Sequence, residues 1–394
     1  MLDIFREKPK RRKICFVITS KIHYSRSKLI LTELKIRQER EQDVELQIVV
    51  AASALIKRYG DVESLMQKDG FKIDARITMI LEGGSTIAMA KTAGLGSIEF
   101  ASVFENLNPD VVVIRGDRYE VLSAAVAAAF MNKTIAHIEG GDVTGSIDES
   151  VRHAITKLAH IHFVTNEESR KRVIKMGEDP KYVFDVGASD VEFASLAADV
   201  VTKNDLEDNG TGAAIDIEKP FLIVMQHPVT SEMEKNSGHI EETLRALSEL
   251  KIPTILFWSN IDAGSDDITS MIKKWGEKKE NNFVRFVKYI QPEKFISLLK
   301  KTSALIGNSS SGIKECSYLG VPVVNVGSRQ NGRMHAGNVI NVSYDYKKIV
   351  EAVHTHLENG KYPASSIYHK KDSSKTIARK LAILDLYTQK KFID

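Results

Sequence analysis

At 394 residues, with 43% hydrophobic and 27% charged side chains, the chain is too long for one small core and too apolar to be disordered, so two globular domains are expected. Its 55 Lys and Arg against 52 Asp and Glu leave a formal charge of only +3, which gives no electrostatic case for a nucleic-acid partner. No apolar run approaches the length that crosses a membrane. The basic run 8–13 precedes an apolar stretch (14–18) too short for a secretory signal and reads as a solvated arm before a first strand. Cys15 and Cys316 stand far apart without metal-ligand spacing. They read as buried thiols of a reducing compartment, which makes the cytoplasm the expected location.

In chain order, 13–19 reads as a strand, 27–42 as a charged amphipathic helix and 45–51 as a second strand. A helix at 61–69 and a weaker strand at 72–78 follow, then a helix over 85–107 that Gly94-Leu95-Gly96 is expected to break. The stretch 108–153 is the most informative. Residues 110–114 form a β-branched run bounded by Pro109 and Gly116, suited to a strand buried on both faces. An Ala-rich helix at 120–131 and a strand at 134–138 come next. A right-handed crossover puts both strand ends on one edge, where open α/β sheets bind ligands. Helices at 147–159 and 167–176 alternate with strands at 161–165 and 182–185. Asn, Asp, Gly and Thr gather at 202–219, which reads as a loop or linker. The alternation then restarts, with strands at 221–225, 254–258, 283–287, 304–306 and 321–326. Helices are expected at 239–250, 265–278, 292–301 and 312–319, and two more in the tail at 346–358 and 374–389. The class is α/β, with two Rossmann-like halves facing each other across a cleft. Gly94-Leu95-Gly96 stops short of a dinucleotide fingerprint and does not directly follow a strand, so no dinucleotide cofactor is expected.

The candidate chemistry lies at the strand ends. Asp117 is either a helix-capping carboxylate or a functional one, and Arg118 beside it could fork onto a phosphate. Glu139 sits between a strand and Gly140-Gly141, which permit close backbone approach by a ligand; a charge there is costly unless paired or used. Asp142 reads as a turn former. Asp148 has structural competitors: Ser146 to Glu149 fits a capping box, and Asp148 with Arg152 is an i,i+4 pair. His137, His153, His160 and His162 lack metal spacing, and no metal is expected. His227 leaves the end of a strand that Pro228 stops. In 306–312 (IGNSSSG) a strand meets a small-residue turn opening a helix, an expected anion site, with Glu315 placed to accept from ribose hydroxyls. Arg329 and Arg333 add charge on the same rim. Ser311-x-x-Lys314 matches a β-lactamase pattern whose partner motifs are absent.

These motifs together resemble the hydrolysing UDP-N-acetylglucosamine 2-epimerases. The resemblance rests on GDRYE (116–120), HIEGGDVTGSIDESVRHAITKLAH (137–160), QHPVT (226–230), NIDAG (260–264), IGNSSSGIKE (306–315) and GSRQNGR (327–333). It implies a GT-B fold, expected as 1–190 and 191–372 with 373–394 returning to the first domain. It implies a UDP-sugar substrate, no cofactor, and a homo-oligomer, dimer or tetramer. The family's catalytic acids fall on Asp117, Glu139 and Asp148, which overrides the capping reading of Asp148. Its nucleotide contacts fall on Arg118, His227, Asn260, Ser309, Ser310, Glu315 and Arg329. After the first strand the family usually reads Arg-Ala-Asp/Glu-Tyr. Here Lys21-Ile22-His23-Tyr24-Ser25 stands instead, so Lys21 keeps the charge without the fork and His23 replaces an acid near the sugar. Lys21 and Ser25 are taken as substrate contacts. The reaction implied is loss of UDP to a glycal, then hydration to the free 2-epimer, with Asp117 as base and Glu139 as acid. An epimerase that returns UDP to the glycal, a retaining GT-B glycosyltransferase and a nucleotide-sugar sensor are the alternatives.

Overall fold

The computed structural model describes residues 11–57, 60–81, 86–259 and 265–394. Asn260 and the first half of the basic run lie outside them. Seven short runs of mostly β-branched residues form a parallel sheet: β1 (Arg12–Ile18), β2 (Val44–Ala51), β3 (Ala75–Ile77), β4 (Val111–Arg115), β5 (Thr134–Ile138), β6 (Ile161–Val164) and β7 (Val183–Asp185). Their order is β3-β2-β1-β4-β5-β6-β7, with Ile14 opposite Val111 and Ile114 opposite His137. A second seven-stranded sheet holds β8 (Gly210–Gly212), β9 (Leu222–Met225), β10 (Thr254–Phe257), β11 (Val284–Val287), β12 (Ala304–Gly307), β13 (Val323–Val326) and β14 (Val339–Val342). Its order is β14-β13-β12-β9-β10-β11-β8, parallel except for β8 against β11. The architecture is the two Rossmann-like domains expected of a GT-B fold. Strand order reverses between β1 and β4 in one sheet and between β9 and β12 in the other, and such switch points open a crevice at the carboxyl ends of the strands.

Alternation along each strand divides the apolar residues between two faces. In β1, Ile14, Phe16 and Ile18 pack under helix Lys21–Ile36, while Cys15 and Val17 face Phe100, Phe104 and Ala124. Helix Ser373–Ile383, from the far end of the chain, adds Ile377, Ala378 and Leu381 to the first of these cores. The Arg12 guanidinium donates to the Leu381 carbonyl at 2.9 Å.

Three local expectations fail for identifiable reasons. Helix Thr86–Leu107 runs through Gly94 and Gly96 without a break. A Cβ at Gly96 would stand 2.2 Å from Met79 Cε and 2.9 Å from Ser123 Cβ, so the glycine serves close packing. The expected linker 202–219 contains helix Lys203–Asn209, started by a Thr202–Asp205 capping box, and then β8. Arg285 fastens that segment by donating to the carbonyls of Leu206, Glu207, Gly210 and Gly212. The helix expected at 312–319 is two pieces, Ser310–Ile313 and Glu315–Leu319, joined at Lys314. Among the described residues no helix is long and apolar enough to cross a membrane.

Leu381 is fully buried in the core of the first sheet. Leu381→Ala should therefore cost roughly 2–5 kcal/mol in urea unfolding, as a core truncation does and a tail truncation does not.

Candidate active site

Gly116, at φ +82°, turns the chain out of β4 and puts Asp117 on the sheet's carboxyl edge. The next helix, Tyr119–Phe130, has Arg118 at its N-cap with no capping side-chain bond, so Asp117 is not the cap. Its Oδ2 instead accepts from Nη2 of the buried Arg152, which also donates to the Asp142 carbonyl at 2.9 Å. Burial opposes ionisation of Asp117, but the Arg152 guanidinium, with Arg333 behind it, holds the carboxyl below its ordinary value.

Glu139 follows β5 in the left-handed region, at φ +70°, which is rare for a side chain other than Asn or Asp. Its Oε1 accepts from Arg115 Nη2 at 2.9 Å and from Lys314 Nζ at 2.8 Å. Burial works against the charge; Arg115, Lys314 and Arg26 overcome it and hold the carboxyl well below its usual range. The glycines after it are filled by the protein itself. A Cβ at Gly141 would meet the Ser169 carbonyl at 2.5 Å, and one at Gly140 the Thr156 hydroxyl at 2.9 Å. Their freedom admits two neighbouring helices, not the expected ligand approach. Asp142 is more than a turn former. Its Oδ1 accepts from the hydroxyls of Thr165 at 2.8 Å and Ser169 at 2.7 Å, and Oδ2 lies 3.4 Å from Arg333 and 3.9 Å from Lys314.

Asp148 stands in the first turn of helix Ile147–Leu158. The expected capping box is absent: the Ser146 hydroxyl donates to Asp148 Oδ2 at 3.2 Å, and Glu149 accepts from the Thr144 backbone N–H. Asp148 is one of the charges acting on Arg152, together with Asp117 and Asp142. The three predicted acids and Asp142 therefore share one basic cluster. His137 is structural, bonded to the Gly116 carbonyl at 2.8 Å and to Thr156 at 3.1 Å.

On the opposite edge, β9 ends before His227 and β12 before Asn308. The Asn308 side chain accepts from the His227 N–H at 2.8 Å and donates to its carbonyl at 2.9 Å. The Asn308 carbonyl takes Arg329 Nη1 at 3.1 Å and Gln330 Nε2 at 2.9 Å. One asparagine thus ties His227 and Arg329 to the serine turn. Within that turn Ser309 accepts from the Ser311 N–H, Ser310 accepts from Arg26 Nη2 at 2.9 Å, and Ser311 donates to Glu315 at 3.0 Å. The helix behind the turn has only four residues, so the serine hydroxyls, rather than a long helix dipole, are what it can offer an anion. Burial and the nearby Asp190 push the Glu315 carboxyl up, against Arg26.

The helix after β1 points its first turn at both edges. Lys21 Nζ lies 3.0 Å from the centre of the Tyr289 ring, and burial lowers its ammonium to about 8. The Ser25 hydroxyl donates to the Lys21 carbonyl at 3.0 Å. His23 Nδ1 is 2.8 Å from the Thr19 hydroxyl; burial, then Arg118 and Arg115, push it down to about 3, so the imidazole is neutral. Arg118 forks at 3.1 Å onto the buried Glu120 carboxylate. Sequence reasoning missed Arg26, Arg115, Asp190 and Lys314. Arg115 carried a signal, since it ends the apolar run VVVIR where an unpaired charge is costly.

The two edges are in contact. Besides Lys314 and Arg333, which reach across to Glu139 and Asp142, the Gly145 N–H lies 3.4 Å from the Arg329 carbonyl. Acids on one sheet edge thus meet serine hydroxyls, Lys314 and Arg333 from the other at the switch points, an arrangement suited to a sugar joined to a diphosphate. The family model for UDP-N-acetylglucosamine 2-epimerase matches residues 36–382. The chain belongs to that family. Within it, the chain is 32% identical over 378 residues to the UDP-N,N'-diacetylbacillosamine 2-epimerase (hydrolyzing) of Legionella pneumophila, covering 96% of this chain and 97% of that one. It is also 32% identical over 338 residues to the GDP/UDP-N,N'-diacetylbacillosamine 2-epimerase (hydrolyzing) of Campylobacter jejuni, 84% of each chain. Its fold matches that of the UDP-GlcNAc 2-epimerase from Neisseria meningitidis bound to UDP-GlcNAc, with a TM-score of 0.74 at 17% identity over 94% of this chain and 99% of that one.

Because Glu139 is held below its ordinary 4.5, it adds stability above that pH and loses it as acid protonates the folded carboxyl. Glu139→Gln in this family member should be less stable than wild type at pH 7, with a shallower fall in urea midpoint below pH about 4.5.

Proposed function

We propose that this enzyme hydrolyses UDP-N-acetylglucosamine, or a 4-acetamido-6-deoxy analogue, to UDP and the free 2-epimeric manno-sugar. The observation that carries the reading is the meeting of the two sheet edges, where Lys314 and Arg333 of the serine-turn lobe reach the carboxylates of Glu139 and Asp142, and Arg26 reaches Ser310. The near full-length likeness to relatives named as hydrolysing epimerases supports the same choice.

The C2 hydrogen of such a sugar is barely acidic, because no adjacent carbonyl can hold the charge. Departure of the diphosphate changes that, since positive character at C1 acidifies the neighbouring C–H. Asp117, kept ionised by Arg152, takes the C2 proton and a glycal forms. Glu139 was the expected acid, but between Arg115 and Lys314 it is an anion and suits the stabilisation of positive charge at C1 instead. Asp148, once it has taken a proton from solvent, delivers it to the other face of C2, and Asp117 gives its own proton back to solvent. Arg118 and Arg329 offset the charge of the leaving diphosphate, Ser309, Ser310 and His227 donate hydrogen bonds to it, and Glu315 accepts from the ribose hydroxyls. Water adds at C1 to complete the hydrolysis.

Incubation with UDP-N-acetylglucosamine in heavy water, followed by NMR, should give UDP in step with free sugar deuterated at C2. The 4-acetamido-6-deoxy substrate in a second tube ranks the sugars. Epimeric UDP-sugar without free UDP would move the chain to the non-hydrolysing class. Asp117→Asn should lower kcat by about 100-fold or more with little change in UDP binding.

A further inference from the structure

Lys314 belongs to no expected role, and the local chain is shaped around it. The helix after the serine turn breaks there, at φ −92° and ψ −70°, between Ser310–Ile313 and Glu315–Leu319. Its side chain is 2% exposed and leaves its own sheet, ending 2.8 Å from Glu139 Oε1 and 3.9 Å from Asp142 Oδ2. Arg115 meets the same Oε1 from β4, so one carboxylate oxygen is gripped by a cation from each lobe and Oε2 is untouched by either.

We propose that Lys314 is a positioning residue for the reaction: gripping Oε1 of Glu139 from the opposite lobe, it keeps that carboxylate an oriented anion at the sugar's C1. The inference rests on the function proposed above. A lysine buried for packing alone would place its stem, not its ammonium, against the partner. Here the ammonium is aimed between two acids, with the Tyr368 ring 6.0 Å away as its third neighbour. The charge on Glu139 is set by every element around it: Arg115 from β4, Arg26 from helix Lys21–Ile36, Asp117 and Asp142 from the two loops, and Lys314 from the second lobe. Asp190 and Arg333 act one step out, Asp190 3.8 Å from Arg115 and Arg333 3.4 Å from Asp142. Only Lys314 reaches Glu139 itself from across the cleft among the described residues, so lobe contact and carboxylate charge are joined through it.

The test compares wild type, Lys314→Met and Lys314→Arg after circular dichroism has established that each is folded at pH 7. The Glu139 carboxyl is titrated by infrared difference spectroscopy, its protonated C=O band being the one lost in Glu139→Gln. In Lys314→Met that band should appear about one pH unit or more higher than in wild type, and the acidic limb of kcat/KM for UDP release should rise with it. Lys314→Arg, which restores the charge, should bring both back towards wild type. An unmoved carboxyl band overturns the proposal, and so does a moved band with an unmoved acidic limb. The band is read without turnover. A wild type that releases no UDP from either sugar therefore sinks the proposed function, while the titration still decides whether Lys314 governs Glu139.

Discussion

Glu139 between Arg115 and Lys314 is the interaction on which the site's geometry depends. Taking three charges out of water is expensive, and ion pairs of this kind are often no more stabilising than apolar residues of the same volume. What the grouping does supply is specificity, because losing any one member strands the others in a low-dielectric setting. The neighbouring acids repeat the pattern, Asp117 on Arg152 and Asp142 on Arg333. Asp117, Glu139 and Asp142 are thus each held as anions by a named cation. The electrostatics are built before substrate arrives, which is the condition for stabilising a transition state without reorganisation.

Sheet topology makes this arrangement available. A parallel sheet directs all its strand ends to one edge, and a reversal of strand order separates the loops at that edge. The first sheet delivers Asp117 and Glu139 from β4 and β5, adjacent strands registered through Ile114 and His137. The second delivers His227 and Asn308 from β9 and β12, also adjacent, registered through Met225 and Gly307. Four side chains spread from position 117 to position 308 become two pairs because each pair shares a ladder. Helix Ser373–Ile383 then packs into the first core, so the first lobe contains chain from either side of the second sheet.

Much of this was legible in the sequence, for physical reasons that also explain what was not. β-Branched runs closed by glycine or proline place β4, β5 and β9 without ambiguity, and with them the loops that carry Asp117, Glu139 and His227. Asp142 was misread because an acid in a Gly-rich loop is commonly a turn former; its burial depends on Thr165 and Ser169, which reach it only after β6 is in place. Gly94 and Gly96 were misread because a glycine pair looks the same whether it breaks a helix or lets one pack closely. Arg26 and Lys314 left no local trace, since their partners lie 284 and 175 positions away. Local pattern finds the loops, and only the assembled lobes reveal which charges face each other.

Two backbone irregularities meet at that contact. Glu139 adopts a left-handed conformation that costs about 1 kcal/mol or more for a residue with a side chain, and Lys314 interrupts a helix whose neighbours on both sides are helical. A glycine at 139 would relieve the first; at the second the Lys314 N–H still bonds the Ser310 carbonyl at 2.9 Å. Lys314 sends its side chain out of its own lobe, and Glu139 meets a cation from each lobe. The strain at Glu139 persists because its surroundings over-determine it, and the charges of Arg115 and Lys314 are part of those surroundings. A left-handed residue on one side of the cleft and a junction between two short helices on the other thus lie where one carboxylate and one ammonium meet.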